Sequence, residues 1–315
     1  MEQAIQIRAL TPRWMFLIWL TGATLVAVVA TLATAAPLAT YSLSLAVFGV
    51  PHVLAELRYV DLRFHGRIAR PQLSWILGIL FVLAIARAAV YAQHSWHTYE
   101  ALVELLILAL LALLHNLTPI GFLAERLQGR ARFHALFACA LAFLFVPTYI
   151  VLMPSSHGSF GDVLPRLDVA EWTGPLANHL AIFVPRNMID LKWAPRLFSA
   201  AAYLQVLHYI VVLAVLPRLV RDPPSLVDDA GAVCRSNLAV TPHPPSLTIV
   251  SWPSTQVFRR YLIGAGTLSA LIFAISFHDA RLLYAIPASV HAFVEFPILL
   301  LAIGLGARSR AISAA

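Results

Sequence analysis

The sequence predicts an all-α membrane protein, a polytopic bundle of about eight transmembrane helices with both termini on the cytoplasmic side. Three observations carry this. Of 315 residues, 60% are hydrophobic and 12% charged, against roughly a quarter charged in a soluble domain. The apolar residues form continuous runs near the roughly 20 residues that a helix needs to cross hydrocarbon. Barrel strands would alternate instead. The 22 basic residues collect on alternate sides of those runs, which sets the orientation. The same composition excludes a disordered chain and a nucleic-acid-binding domain despite a net charge of +7.

In chain order the runs lie near 15–35, 41–60, 72–91, 101–120, 133–153, 198–217, 261–277 and 282–305. The first follows Arg8 and Arg13 and ends in Ala33-Thr34-Ala35, the ingredients of a secretory signal. It is long for a signal core and the next run follows almost at once, so it reads as one arm of a hairpin. The seventh run is short and abuts the eighth, which predicts a tight hairpin there. Residues 154–197 form an extracytoplasmic loop with Trp172, a Gly174-Pro175 turn and an apolar piece at 180–184. That piece is too short to span and is expected to lie at the interface or to re-enter. Residues 218–258 form a Pro-rich cytoplasmic loop with the run Pro242-His243-Pro244-Pro245, which reads as irregular.

Sixteen basic residues, Arg58, Arg63, Arg126, Arg130, Arg259 and Arg260 among them, then fall on one side. This puts a single integral domain, 1–315, in a bacterial-type cytoplasmic membrane with the lipid bilayer as its partner. Cys139 and Cys234 are too few for a disulfide framework.

Ionisable side chains at membrane depth are costly and mark function by default. Of twelve histidines, five lie in or at the edge of the runs: His52, His115, His208, His278 and His291. His52, His208 and His291 fall near mid-bilayer, His115 somewhat toward the cytoplasm, and His278 at the outer mouth beside Asp279. His134 is expected at the interface. His65, His94, His97, His157, His179 and His243 lie in loops and read as solvated. Two of the buried set repeat one spacing, His52-x-x-x-Glu56 and His291-x-x-x-Glu295. Residues four apart share a helix face, so each pair can ligate one metal, or the carboxylate can orient the imidazole. Glu56 lies near enough to the cytoplasmic end to pair with an arginine, which makes Glu295 the stronger candidate. Metal ligands are therefore expected among His52, Glu56, His115, His208, His291 and Glu295. His278 and Asp279 are left to an outer shell or the outer mouth. Pro51, Pro119, Pro287 and Pro297 flank the same histidines, as where bent helices wrap a cavity.

The run Gly49-Val50-Pro51-His52, together with Phe277-His278-Asp279-Ala280-Arg281, Tyr284 and His291, resembles the bacterial Brp/Blh-type β-carotene cleavage dioxygenases. Val53 and Glu56 stand where that family has Gly and Asp, and Glu295 stands where it has a second late histidine. The resemblance implies an integral membrane enzyme holding non-haem iron through histidines on several helices. It also implies O₂ as co-substrate and a lipid-soluble substrate such as a carotenoid.

The residues alone leave other classes open. His pairs across helices suit a haem-binding electron carrier. Buried His and Glu also suit a proton-relay transporter, although no inverted repeat is visible. A scaffold with buried polar packing is the fourth reading. Imidazole with carboxylate favours iron with open coordination positions.

Overall fold

The computed structural model describes residues 12–64, 115–124, 127, 129–152, 169–183, 189–219, 252–288, 290–292 and 295, with 78, 81 and 85. All regular structure among them is helical. Helix α1 spans Pro12–Ala35 and α2 spans Pro37–Phe64. Helix α3 covers 115–124, and α4 covers Gly129–Leu152. Two short helices follow, α5 at Ala170–Thr173 and α6 at Leu176–Phe183. Helix α7 begins as Ala194–Ile210 and ends as Leu216–Leu219. Helix α8 spans Thr255–Ile275, and α9 is helical at 277–288, 290–292 and 295.

Five of these helices are long and apolar enough to cross a membrane: Phe16–Ala35, Pro37–Leu62, Gly129–Leu152, Ala194–Arg218 and Thr255–Ile275. They coincide with the first, second, fifth, sixth and seventh expected runs. The third run lies outside the described residues apart from 78, 81 and 85. The fourth is described only from 115 onward and the eighth only in part. Most of the Pro-rich loop lies outside them too, although α7 runs on to Leu219 and α8 starts as early as Thr255.

Helices α2 and α7 form the buried centre. α8 packs along α2, while α1 and the second half of α4 pack against α7. The outer helices turn large apolar side chains outward, including Phe16, Ile18, Phe133, Phe145, Ile263 and Ile275. Such a surface is stable only against lipid or another apolar partner. Turns between helices are minimal. Ala36 alone separates α1 from α2, with Thr40 Oγ1 donating to Leu32 O at 2.9 Å. Ser276, extended at φ −152° and ψ 104°, alone separates α8 from α9. Gly174, at φ +82°, turns the chain from α5 into α6 through a backbone conformation that costs a side-chain-bearing residue.

Prolines shape the long helices. Residues Leu141–Phe145 of α4 and Val211–Val215 of α7 are π-helical. Each segment begins six residues before a proline, Pro147 and Pro217. Proline lacks an N–H and its ring clashes with the carbonyl four residues back, so widening the preceding turn relieves the clash. The freed Ala142 carbonyl accepts a hydrogen bond from the Tyr203 hydroxyl at 2.8 Å. In α2 the proline is Pro51, which leaves the Val47 carbonyl without its helical donor. Gly266 of α8 lies against that carbonyl: a Cβ there would stand 2.9 Å from Val47 O and 3.3 Å from Pro51 Cγ. A side chain at 266 would lift α8 off α2.

Candidate metal centre

Four histidines from four helices meet at one depth. His52 comes from α2, His115 from α3, His208 from α7 and His291 from α9. Ring centroids stand 5.0 Å apart for His52–His291, 5.4 Å for His52–His208, 4.5 Å for His115–His208 and 4.6 Å for His115–His291. His52, His208 and His291 are almost fully buried, as are Glu56 and Glu295.

The ligand helices run in the same direction. His52 of α2 and His115 of α3 neighbour each other at 6.1 Å, and seven residues further on so do Tyr59 and Phe122 at 4.9 Å. Ahead of the site Tyr41 of α2 meets Phe198 of α7 at 5.3 Å. Gly49 of α2 lies under the ring of Tyr284 of α9, with an ideal Cβ 3.1 Å from the ring. Glu295, one turn past His291, meets Thr118, one turn past His115.

Hydrogen bonds fix which nitrogen three of the four imidazoles offer. His52 Nδ1–H donates to Phe48 O, and His291 Nδ1–H to Pro287 O, each at 3.2 Å and each to the carbonyl four residues back. His115 Nδ1–H donates to Glu295 Oε2 at 2.8 Å. A carbonyl only accepts, so the protons sit on Nδ1 and the Nε2 lone pairs face the centre. Anchoring of this kind is what metal-bound histidines show. It also explains the Gly49-Val50-Pro51-His52 run. Gly49 makes room for Tyr284, Pro51 seats α8, and His52 hangs from the carbonyl of Phe48.

With their protons on Nδ1, His115 Nε2 and His291 Nε2 turn lone pairs toward each other and toward Glu56 Oε2, which is repulsive unless a cation or a proton lies among them. His115 Nε2 and His291 Nε2 stand 3.2 Å apart. Glu56 Oε1 lies 3.3 Å from His208 Nε2, and Glu56 Oε2 lies 3.3 Å from His291 Nε2. These two contacts are long, and by hydrogen-bond geometry both Glu56 oxygens stay unsatisfied, as do Glu295 Oε1 and both nitrogens of His208. Buried polar atoms are costly to orphan, and five orphans at one point mark a place built for something else. Two ligands held at about 2.1 Å on one ion, at angles from square to tetrahedral, stand about 3.0–3.4 Å apart. All three distances fall in that interval. Ligating atoms of His52, Glu56, His115 and His291 lie within 4.8 Å of one another. The residues fit a metal ion.

The six candidate ligands thus come together, with their roles divided across helices. Glu56 does not turn to an arginine as its position suggested. It faces His208 and His291, while Arg58 donates to Pro253 O and Thr255 Oγ1 and lies over the Phe258 ring. Glu295 holds His115, which belongs to another helix, and not His291 on its own. His278 and Asp279 stay apart from the centre. Both are exposed at the start of α9, where Asp279 accepts from Ser276 Oγ at 2.7 Å and its own N–H donates back to that oxygen. Ser276 and Asp279 thereby form a helix cap, in which His278 takes no part.

Other contributors carry weaker sequence signals. Thr118, fully buried, places its hydroxyl 3.0 Å from Glu295 Oε2. Tyr209 lies over His52 at 4.3 Å, and the Tyr284 ring stands 6.5 Å from that of His52. Helical spacing alone could have suggested Thr118 beside His115 and Tyr284 two turns before His291.

His179, expected to be solvated, is buried. Its Nε2–H donates to Thr173 O at 3.0 Å and its Nδ1 accepts from Arg281 Nη1 at 3.1 Å. The neutral ring thereby ties α5 and α6 to α9. Burial, with the nearby Arg281 guanidinium, holds its pKa below the usual histidine value. A depressed pKa means that this tie is complete above about pH 6.5 and is lost as pH falls through the lower folded-state value. Hydrogen exchange across 169–183, followed from pH 8 to 5, should show protection lost on acidification. His179→Gln should remove the pH step. Constant protection down to pH 5 would contradict this account.

No protein-family model matches the chain, and no curated protein or solved structure matches it.

Proposed function

We propose that the chain is a membrane-embedded non-haem metal oxygenase, with iron as its metal, acting on a lipid-soluble substrate such as a carotenoid. The observation that carries the reading is the convergence of three Nδ1-anchored imidazoles and an unsatisfied carboxylate at membrane depth. His52, Glu56, His115 and His291 would hold the ion, with His208 beside them and Glu295 fixing the His115 ring. Imidazole with carboxylate is a donor set suited to Fe(II), and the ion would supply O₂ binding and oxidation of a hydrocarbon. Charge balance supports a single divalent ion: two carboxylates neutralise it, where a second ion would leave net charge in hydrocarbon. The chain's own residues fix the ring tautomers and exclude bulk water.

Haem fits less well. Axial imidazoles on one haem stand about 4 Å apart, twice the metal–imidazole distance, with the macrocycle between them. The 3.2 Å between His115 and His291 nitrogens leaves no such gap.

The proposed topology is eight spans with both termini cytoplasmic, in a bacterial-type inner membrane. The parallel run of α2, α3, α7 and α9 supports it. Two parallel neighbours need one crossing between them, supplied by α4 before α7 and by α8 before α9. Between α2 and α3 it falls to the run at 72–91. The ligands then come from the second, fourth, sixth and eighth spans.

Elemental analysis and an absorption spectrum of the purified protein test the reading. One iron per chain without a Soret band is the expected result. A Soret band would replace it with the haem carrier, and a metal-free protein with the proton relay.

A further inference from the structure

His208 differs from the other three imidazoles of the centre. His52, His115 and His291 each commit Nδ1 to a fixed acceptor. With Glu56 they place ligating atoms within 4.8 Å of one another, and His208 is not in that set of four. Its side chain is 0% exposed, yet neither ring nitrogen makes a hydrogen bond. The ring lies against the centre, 4.5 Å from the His115 ring and 5.4 Å from that of His52. Nε2 stands 3.3 Å from Glu56 Oε1, out of hydrogen-bond alignment. Along α7 the neighbours four residues away on either side are Leu204 and Val212, both buried. The nearby amide of Gln205 is committed to Tyr41 O and Ser44 Oγ.

A neutral imidazole has one N–H and one lone pair, and leaving both without a partner in a buried site is costly. Hydrocarbon along α7 supplies neither partner, so the partner of His208 comes from the centre. Donors on one ion stand at most about 4.2 Å apart, twice the metal–ligand distance, and the close set is complete without His208. Three imidazoles and a carboxylate leave coordination positions open on iron. Resting on the metal centre proposed above, we propose that His208 is not a ligand of the ion but holds a small water-derived or anionic ligand of it, donating Nε2–H to that ligand. The class follows from the surroundings. The ligand must offer a lone pair, which excludes the apolar substrate from this position. It must also be small, because the donors around it stand only 3.2 and 3.3 Å from one another. Azide meets both conditions. Two carboxylates leave one positive charge on a ferric ion, and azide neutralises it, as a buried site in hydrocarbon favours.

The test titrates azide into the iron-loaded, oxidised full chain and follows the charge-transfer absorption. His208→Leu and His208→Gln should both keep the iron content of the wild type. The leucine variant should bind azide at least about tenfold more weakly, the scale of a hydrogen bond to a charged group. The glutamine variant, whose amide can donate, should recover most of that loss. Pulsed EPR of the wild type counts the imidazoles bound directly to iron and needs no variant to fold. The expected ones are those of His52, His115 and His291. A further imidazole on the iron, iron lost with His208, or an azide affinity indifferent to residue 208 would overturn this proposal and leave the oxygenase reading standing. A wild-type chain that takes up no metal would overturn that reading, and this inference with it.

Discussion

His291→Ala is expected to abolish metal retention in a protein that still inserts into the membrane. Its Nε2 lies 3.2 Å from His115 Nε2 and 3.3 Å from Glu56 Oε2, so its removal opens the middle of the donor set. The loss should exceed the about 10–100-fold that follows from removing an outer-shell partner. His278→Ala, on the exposed start of α9, is the matched control and should keep full occupancy. Metal content by elemental analysis, read alongside thermal unfolding with and without added iron, separates lost binding from lost folding. Full occupancy in His291→Ala would remove the centre as described.

The two carboxylates should differ in the same measurement. Glu56→Gln is expected to behave like a ligand loss, because both Glu56 oxygens face the histidines without a satisfied hydrogen bond. Glu295→Gln keeps an oxygen for His115 Nδ1–H and changes only the charge behind it, so about 10–100-fold in affinity is expected. Thr118→Val removes a hydroxyl shared between Glu295 Oε2 and His115 O and should cost about tenfold, the lower end for a hydrogen bond to a charged group. Competition with a soluble chelator ranks the three. A larger loss at Glu295 than at Glu56 would reverse their roles.

How much of this was legible in the sequence varies by residue. The spans were legible because a helix in hydrocarbon must be apolar throughout, and five runs lie where helices of that length stand. The convergence of His52, His115, His208 and His291 followed from depth alone, since histidines at equal depth on a compact bundle have few ways to avoid one another. Partner choice was not legible. Spacing of four on one helix suggested that Glu295 serves His291, whereas packing between helices gives it to His115. His179 was misread because a loop histidine looks solvated until the rings of Tyr41 and Phe277 close over it. Tyr209 was hidden because an aromatic residue in an apolar run gives no signal of its own.

The widened turn at Val211–Val215 has a consequence for angular phase. Each α-helical residue advances about 100°, so eight residues of uninterrupted helix would carry Leu216 about 80° around the axis from His208. A π turn absorbs roughly one extra residue and returns the later side chains close to the starting bearing. His208, Val212 and Leu216 are accordingly all buried at 1% exposure or less, one toward the centre and two in the apolar cluster beneath it. The extra residue acts as a spacer between the site and the apolar packing strung on the same helix. Deleting any single position in 211–215 would remove that extra residue and restore an ordinary α-helical turn with the imidazole and the apolar cluster beneath it on nearly one bearing, whereas inserting one would turn them about 100° apart.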